Sequence, residues 1–390
     1  MTFAQRMGRL GTETAFEVLA RARALEATGK RIVHLEIGEP DFDTPAFIRK
    51  AAAAALEEGW THYGPSAGLP EFRKTIADVF GAERKFPCDA DNVVVTPGAK
   101  PIMFFVMLAL LEEGDEVLYP NPGFPIYESV ANFINARPVP LHLKESNEFD
   151  LDLKELEAKI TPRTKLLVLN SPHNPTGAVL KPETVEGIAA LARKHSFWIL
   201  SDEIYARIQY EGRHLSIASL PGMSERTIVL DGFSKTYSMT GWRLGFGIMP
   251  KPLAVHVTRL MTNSNSCTAS FIQRAGQVAL TGPQGEVHAM VAEFKVRRDT
   301  IVEGLNQIPG VTCFTPKGAF YAFPNITGTG MTSKALATAL LEEAGVAGLA
   351  GTSFGAHGEG YLRFSYANSL ENIQTALASI GDYLSVRTRA

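Results

Sequence analysis

The amino-acid sequence predicts an α/β protein. Its large domain is expected to be a mostly parallel sheet flanked by helices, with a smaller α+β domain beside it. Short, uninterrupted apolar segments such as "NVVVTPGA" and "KLLVLNSPHNPTG" are typical of strands that are buried on both faces. Helical segments such as "PAFIRKAAAAALEEG" alternate with them, which predicts parallel pairing. After about residue 285 the pattern changes to one long helix followed by shorter units, which predicts the second domain.

The predicted elements follow one another along the chain. The first helix lies between Pro45 and Gly59, because proline is tolerated in a first turn and glycine favours a helix end. The later elements are, in order, the helix "LPEFRKTIADVFG", the strand "NVVVTPGA", the helix "PIMFFVMLALL", the strands "DEVLYPNPGF" and "KLLVLNSPHNPTG", the helix "PETVEGIAALARKH", the strands "FWILSDEIYA" and "RTIVLDGFSK", the long helix "EVHAMVAEFKVRRDTIVEGLNQI", the units "CFTPKGAFYAFP", "SKALATALLEEAGV" and "EGYLRFSYA", and a final helix from residue 369.

Composition and charge limit the classes of function. Lys plus Arg number 38 and Asp plus Glu number 41, so the net charge of −3 gives no reason to expect nucleic acid or an anionic membrane as a partner. The apolar segment 101–111 is too short to cross a bilayer, and the N-terminus lacks an apolar run of signal-peptide length. Three scattered cysteines without a CxxC pair favour a reducing cytoplasm. The nine histidines show no metal-binding spacing, so we expect no metal site.

Polar residues occupy the turns that follow the predicted strands. Parallel sheets bind ligands at the carboxyl ends of their strands, so these turns are where chemistry is expected. Gly98, Ala99 and Lys100 open a helix whose free N–H groups can hold a phosphate. The other turns carry Asn174, Asp202, Tyr205, Ser234, Lys235 and Arg243. Taken singly, each is an ordinary turn residue, helix cap or solvated charge, but together they form a coherent set.

Pyridoxal phosphate is the cofactor that uses every member of this set. It is an aldehyde, and a lysine with a lowered pKa can bind an aldehyde as a Schiff base. Its electron-sink chemistry depends on a protonated pyridine nitrogen, which a neighbouring carboxylate stabilises. An arginine and a helix N-terminus suit the phosphate, and a phenol and an amide suit the ring hydroxyl.

The segment "SKTYSMTGWRLGF" resembles the cofactor-attachment segment of the class I/II aminotransferases, the fold-type-I family of pyridoxal-phosphate enzymes. Five further segments resemble family motifs in the family's order: "GEPDFDTP", "YGPSAGLPEFR", "NSPHNPTG", "SDEIY" and "YLRFSYA". The resemblance covers about residues 12 to 385 and is greatest to the aspartate-aminotransferase-like subgroup. It implies a large cofactor-binding domain over residues 46–284. Residues 1–45 and 285–390 would form a small domain that closes on the substrate.

The resemblance also implies roles at matching positions. Lys235 would be the Schiff-base lysine that also moves the substrate α-proton, and Asp202 would pair with the pyridine nitrogen. Arg363 would bind the substrate α-carboxylate through its planar fork, close to the backbone of Gly38. Tyr63 would reach the phosphate in the neighbouring subunit of a homodimer. The remaining cofactor contacts are Tyr205 and Asn174 at the ring oxygen, Phe124 stacked on the ring, and Gly98, Ala99, Lys100, Ser234 and Arg243 around the phosphate. Asn174 is also placed at the substrate, and its bond to Pro175 is expected to be cis.

The substrate side chain is left open by the sequence. Family members specific for aspartate and glutamate carry a second cation for the distal carboxylate. Arg259 lies in the right region, but a surface arginine explains it equally well. The neighbouring "NSNSC" is small and uncharged, which weighs slightly against strict use of dicarboxylates.

Two other functions use a similar sequence. A β-lyase that cleaves a C–S bond would use nearly the same residues, and its products would distinguish it. Some transcription regulators carry an effector-sensing domain that resembles aminotransferases, joined to a helix-turn-helix domain. The family resemblance begins at about residue 12, so we expect no such domain here. We therefore predict an aminotransferase that acts on an L-amino acid and a 2-oxo acid.

Overall fold

A computed structural model describes residues 2–387 of the chain and confirms the predicted α/β class. Helices surround a central sheet whose strands are mostly parallel. The α-helices of the described residues are α1 (Thr14–Glu26), α2 (Ala46–Glu57), α3 (Pro70–Arg84), α4 (Lys100–Leu110), α5 (Ile126–Phe133), α6 (Leu153–Lys159), α7 (Pro182–His195), α8 (Lys251–Asn265), α9 (Ser270–Thr281), α10 (Gly285–Asn306), α11 (Ser333–Ala339) and α12 (Leu370–Arg387).

The strands of residues 2–387 form one large sheet and two small ones. The described strands are β1 (Val33–His34), β2 (Val93–Thr96), β3 (Glu116–Asn121), β4 (Arg137–His142), β5 (Thr164–Asn170), β6 (Trp198–Asp202), β7 (Thr227–Gly232), β8 (Gly245–Ile248), β9 (Tyr321–Ala322), β10 (Val346–Ala347), β11 (Leu349–Ala350) and β12 (Leu362–Ser365). The large sheet has the order β2-β8-β7-β6-β5-β3-β4. Only β8 is antiparallel to its neighbours, so all the predicted strands of this sheet run in one direction.

The apolar strands are buried because both faces of the large sheet are covered by helices. Side chains alternate between the faces with the period of two that strands impose. On β5, Leu166 and Val168 pack with α4 and α8 on one side, whereas Leu167 and Leu169 pack with α7 on the other. Because β3, β5, β6 and β7 run in the same direction, their carboxyl ends meet at one edge of the sheet.

Two strands of the large sheet were not among the predicted elements. β4 reads "RPVPLH", and its two prolines obscure a strand that lies at the sheet edge, where a missing N–H donor is tolerated. β8 reads "GFGI", which is too short and glycine-rich to be recognised as a strand. It lies between β2 and β7, where Gly245 allows close approach of the turn that follows β2.

The C-terminal third builds a separate hydrophobic cluster around α10, α12 and the small antiparallel sheet β11-β12-β9. The N-terminal segment joins this cluster, because β1 pairs in parallel with β10. The predicted long helix is confirmed as α10, and the predicted final helix as α12. The division into a large domain of residues 46–284 and a small domain of residues 1–45 and 285–390 stays a prediction. The Asn174–Pro175 bond is cis, as predicted, and so are Asn121–Pro122 and Ser171–Pro172.

Candidate active site

A cavity of about 540 Å³ opens where β5, β6 and β7 end, between these strand ends and the segments that carry Gly38 and Arg363. The predicted site residues come together there, apart from Gly98 and Tyr63. Those that line the cavity are Gly38, Ala99, Lys100, Phe124, Asn174, Asp202, Tyr205, Ser234, Lys235, Arg243 and Arg363. The turns at one edge of the sheet therefore meet around one cavity, and the roles of their residues stay predictions.

Lys235 lies in the turn that follows β7, with its amine inside the cavity. Its Nζ donates a hydrogen bond of 2.6 Å to the carbonyl oxygen of Gly38. Burial lowers the pKa of Lys235 to about 8, although the carboxylate of Glu39 opposes the shift. At pH 7 roughly a tenth of such an amine is neutral, against less than about one in a thousand for a solvated lysine with a pKa near 10.4. The amine is therefore able to act as a nucleophile or a base.

Asp202 ends β6 with a buried carboxylate. Its Oδ2 accepts a hydrogen bond of 2.7 Å from the hydroxyl of Tyr127, and its Oδ1 accepts one of 3.3 Å from the backbone N–H of Ile204. Burial raises the pKa of Asp202 to about 6, while the bond from Tyr127 lowers it. A buried carboxylate with a raised pKa is stabilised by a facing cation, which is what a protonated ring nitrogen provides. Tyr127 was missed in the sequence, where it stands three residues after Phe124.

Two tyrosines and an arginine form the wall towards the C-terminal third. The hydroxyls of Tyr205 and Tyr321 are 2.7 Å apart, and the guanidinium of Arg363 lies over the ring of Tyr321, 4.5 Å from its centroid. Arg363 donates to Oδ1 of Asn174 at 3.3 Å and to the backbone oxygen of Glu36. Its buried Nε has no partner among the described residues. Arg363 thus presents a held guanidinium that has donor capacity left for a carboxylate.

Tyr321 was also missed, although it is fully buried beside the cavity. A Cβ on Gly38 would collide with its hydroxyl, so glycine at position 38 makes room for this tyrosine. The sequence signal was weak because the segment "GAFYAFP" reads as an apolar strand whose tyrosine belongs to the core.

The turn after β2 and Arg243 form a concave surface opposite this wall. Gly98 has a φ of +84°, and a Cβ there would collide with the guanidinium of Arg243. The turn is held by Thr96, whose hydroxyl donates to the Gly98 oxygen at 2.7 Å. Ala99 and Lys100 begin α4, whose first N–H groups have no partner within the helix. A helix N-terminus beside an arginine and the hydroxyl of Ser234 fits a phosphate in both charge and shape.

Lys100 contributes its backbone to this turn, but its side chain turns elsewhere. The amine forms an ion pair with Glu13, and it lies 5.4 Å from the ring centroid of Phe124. Glu13 immediately precedes α1 and lines the same cavity, together with Phe16. Glu13 was not singled out from the sequence.

A buried ion cluster supports the strand ends beneath the site. Arg84, at the end of α3, pairs with Glu203 and with Asp231. Glu203 directly follows Asp202, and Asp231 lies on β7. Burial alone would raise the pKa of Glu203, but Arg84 and the nearby His214 lower it to about 2. The cluster ties the carboxyl ends of β6 and β7 to α3, and so holds Asp202 and Lys235 on one rigid base.

Besides Gly98, two of the residues considered in the sequence lie outside the cavity lining. The side chain of Tyr63 is almost fully exposed, and Arg259 is exposed on α8. The described residues contain no group of three His, Cys, Asp or Glu side chains placed to hold a metal ion. Among the same residues, no helix has the length and apolar character needed to cross a membrane.

Comparisons with known proteins agree with this geometry. The model of the family described as "Aminotransferase class I and II" matches residues 30–380. An aspartate aminotransferase of Pyrococcus horikoshii is 42% identical over 367 residues, which are 93% of this chain and 92% of that protein. The aromatic-amino-acid aminotransferase 2 of Thermococcus litoralis is 41% identical over 89% of this chain and 90% of its own length.

Solved structures extend the similarity to the fold. The aspartate aminotransferase of Rhizobium meliloti has a TM-score of 0.94 at 36% identity, with 99% of both chains covered. The aspartate aminotransferase of Thermus thermophilus with maleate has a TM-score of 0.93 at 35% identity, with 98% of this chain and 99% of that chain covered. The family match includes Asp202, Lys235 and Arg363 but not Glu13, which lies before its first residue.

Proposed function

The chain belongs to the class I and II aminotransferases and is an enzyme of that type, and we propose that it carries pyridoxal phosphate on Lys235. One observation supports this most directly: the amine of Lys235, whose pKa is lowered to about 8, shares a cavity with the carboxylate of Asp202 and the concave turn beside Arg243. An aldehyde, a ring nitrogen and a phosphate each find a matching group there. The reaction moves an amino group from an L-amino acid to a 2-oxo acid.

The residues that would hold the cofactor divide by chemistry. The phosphate fits the backbone of Gly98, Ala99 and Lys100 with Ser234 and Arg243. The ring nitrogen fits Asp202, the ring oxygen fits Tyr205 and Asn174, and Phe124 supplies a ring to stack against. When bound, pyridoxal phosphate supplies the electron sink that makes an amino-acid α-proton acidic.

The chain's own groups then bind the substrate and move its proton. Arg363 receives the α-carboxylate on its guanidinium, whose planar fork matches a carboxylate bidentately. The amine of Lys235 lies 2.6 Å from the Gly38 oxygen, on the side of the cavity where Arg363 is held. Its Nζ, unprotonated, removes the proton from the α-carbon and holds it for return. The segment that bears Gly38 and the β12 strand that bears Arg363 close over this position as the small domain.

A β-lyase reaction is not favoured. The relatives that cover most of the chain are named as aminotransferases, with aspartate and aromatic amino acids among their substrates.

A homodimer completes the site in this proposal. Tyr63 points away from its own cavity with its side chain about 90% exposed, so its phenol is free to reach the phosphate of a second subunit. Tyr63→Ala should weaken cofactor binding while light scattering still gives the mass of a dimer. A monomeric wild-type protein would contradict the shared site.

The three free cysteines suit a cytoplasmic location.

The experiment that tests the function is a screen of amino donors against 2-oxo acid acceptors with the cofactor-loaded enzyme. Aspartate, alanine and aromatic amino acids belong in the screen because the relatives differ among them. Formation of a new amino acid together with the oxo acid of the donor supports the proposal. Release of pyruvate and a thiol from a cysteine conjugate, without transfer to any acceptor, would contradict it.

A further inference from the structure

The outer part of the cavity holds an ion pair to which the proposed chemistry gives no role. Oε1 of Glu13 accepts a hydrogen bond from the amine of Lys100, which joins the start of α1 to the start of α4 across the cavity mouth. The Lys100 side chain is 49% exposed and that of Glu13 only 21%, so the carboxylate lies on the inner side of the pair.

Glu13 faces the space in which a substrate side chain would lie. Its carboxylate lies close enough to act on the pKa of Lys235 and of Arg363, opposing in each the shift that burial produces. Glu13 lines the same cavity as Lys235 and Arg363, so an amino acid with its α-carboxylate on Arg363 and its α-carbon at Lys235 has Glu13 in the wall around it.

Apolar and acidic side chains line the cavity around Glu13. Phe16, Ile37 and Phe124 line this part of the cavity and suit the stem of a long side chain. Glu39 also lines the cavity and accepts a hydrogen bond from Thr240. Glu39 acts on Lys235 more strongly than Glu13 does, whereas Glu13 is the carboxylate that pairs with Lys100.

One oxygen of Glu13 stays available. Lys100 bonds to Oε1, and no donor within residues 2–387 bonds to Oε2. A carboxylate can accept several hydrogen bonds, so a substrate donor can join Lys100 on the same group. A substrate carboxylate, by contrast, would meet Glu13 as a like charge and would have to draw Lys100 away from it.

We infer that Glu13 determines the substrate class: it neutralises Lys100, disfavours amino acids with a second carboxylate, and favours side chains with an apolar stem and a hydrogen-bond-donating tip, such as a phenol, amide, amine or guanidine. Because the inference rests on the proposed aminotransferase activity, its test includes a binding measurement that does not need turnover.

The test compares Glu13→Gln, Lys100→Gln and the wild type in their cofactor-loaded forms. Glu17→Gln is the matched control, because Glu17 is exposed one turn later on α1 and lies outside the cavity lining. For each protein kcat/KM is measured with aspartate, alanine and tyrosine. Calorimetry gives the Kd of succinate, which carries two carboxylates, and of propionate, which carries one.

Glu13→Gln frees Lys100, so the ratio of kcat/KM for aspartate to that for alanine should rise about tenfold or more, and succinate should bind correspondingly tighter. Propionate affinity should stay unchanged. Lys100→Gln should lower the ratio of kcat/KM for aspartate to that for alanine below the wild-type value. Glu17→Gln should leave all values at those of the wild type. If Glu13→Gln leaves both the aspartate ratio and succinate affinity unchanged, the inference is wrong although the enzyme remains an aminotransferase. If no protein transfers an amino group, the proposed function fails, and the succinate and propionate affinities still decide the role of Glu13.

Discussion

The amine of Lys235 donates a 2.6 Å hydrogen bond to the carbonyl oxygen of Gly38, which precedes it by 197 residues in the chain. This bond joins the large sheet to the segment that would lie against the substrate carboxylate. It places the proposed base beside the proposed carboxylate site.

Attachment of the cofactor should depend on the protonation of Lys235. Only the neutral amine can attack an aldehyde, and burial lowers the pKa of Lys235 to about 8. The rate at which pyridoxal phosphate binds covalently to the cofactor-free protein should therefore rise about tenfold per pH unit below pH 8 and level off above it. Stopped-flow absorbance against pH measures this rate. A midpoint near 10, as for lysine in an unstructured peptide, would show that the amine is solvated.

The close approach of Gly98 and Arg243 should matter for phosphate binding. Gly98→Ala places a Cβ against the Arg243 guanidinium and imposes a φ of +84° on a residue that disfavours it. We expect the Kd for pyridoxal phosphate to rise about tenfold, which corresponds to about 1.4 kcal/mol. Gly285→Ala is the control, because a Cβ there meets nothing within 4 Å. Equal cofactor affinity in the two variants would remove the turn after β2 from the phosphate site.

Arg363 should act on the substrate and not on the cofactor. Arg363→Lys keeps the positive charge but loses the planar fork, and it leaves the donors around the phosphate in place. The KM for the amino acid should rise by about 10- to 100-fold, with the Kd for pyridoxal phosphate within about twofold of the wild type. Titration of both ligands by absorbance separates these effects. Loss of cofactor with unchanged substrate affinity would show that the role is misassigned.

The ion cluster beneath the site should make stability depend on acid pH. Because the pKa of Glu203 is lowered to about 2 in the folded protein, the ionised carboxylate contributes stability above its ordinary pKa of 4.5, and this contribution is lost as the pH falls from 4.5 towards 2. Burial raises the pKa of Asp231 even with Arg84 beside it, so Asp231 acts in the opposite sense. Its ionised carboxylate destabilises the folded protein at neutral pH, and this cost is relieved as the pH falls through its raised pKa. Urea unfolding of the cofactor-free protein at pH 7, 4.5 and 3 measures it.

Two variants separate the contributions to this cluster. Arg84→Met leaves two buried carboxylates without their partner and should lower the free energy of unfolding at pH 7 by about 3–5 kcal/mol. Glu203→Gln keeps the shape of the side chain and should flatten the pH dependence between 4.5 and 2. An unchanged pH dependence in Glu203→Gln would show that other carboxylates cause it.

The sequence pointed to most of the polar residues that line the cavity but not to the residues that support them, for a physical reason. The chemistry of Asp202, Lys235 and Arg243 depends on turns that follow apolar strands, and such strands are visible in a single sequence. The partners that tune these residues come from distant segments. Arg84 and Tyr321 reach the site only through tertiary packing, and each looks like an ordinary helix or core residue in its own segment.

The same dependence on tertiary packing explains why β4 and β8 were not predicted from the sequence. β8 is recognisable only by its pairing with β2 and β7, and β4 tolerates two prolines only because it lies at the edge. Glu13 had no motif to mark it, and its position became informative only when the structure placed it opposite Lys100.

The most direct test of the account is a single turnover with Lys235→Ala, in which the variant is loaded with pyridoxal phosphate, mixed with an accepted amino acid and followed for oxo-acid formation. The cofactor should still bind through Arg243, Ser234 and Asp202, but removal of the base should slow oxo-acid formation by at least about 100-fold. Added methylamine should restore part of the rate by serving as the missing base, and Lys295→Ala, at an exposed position of α10, should react like the wild type. Oxo-acid formation by Lys235→Ala at the wild-type rate, without methylamine, would contradict the central assignment.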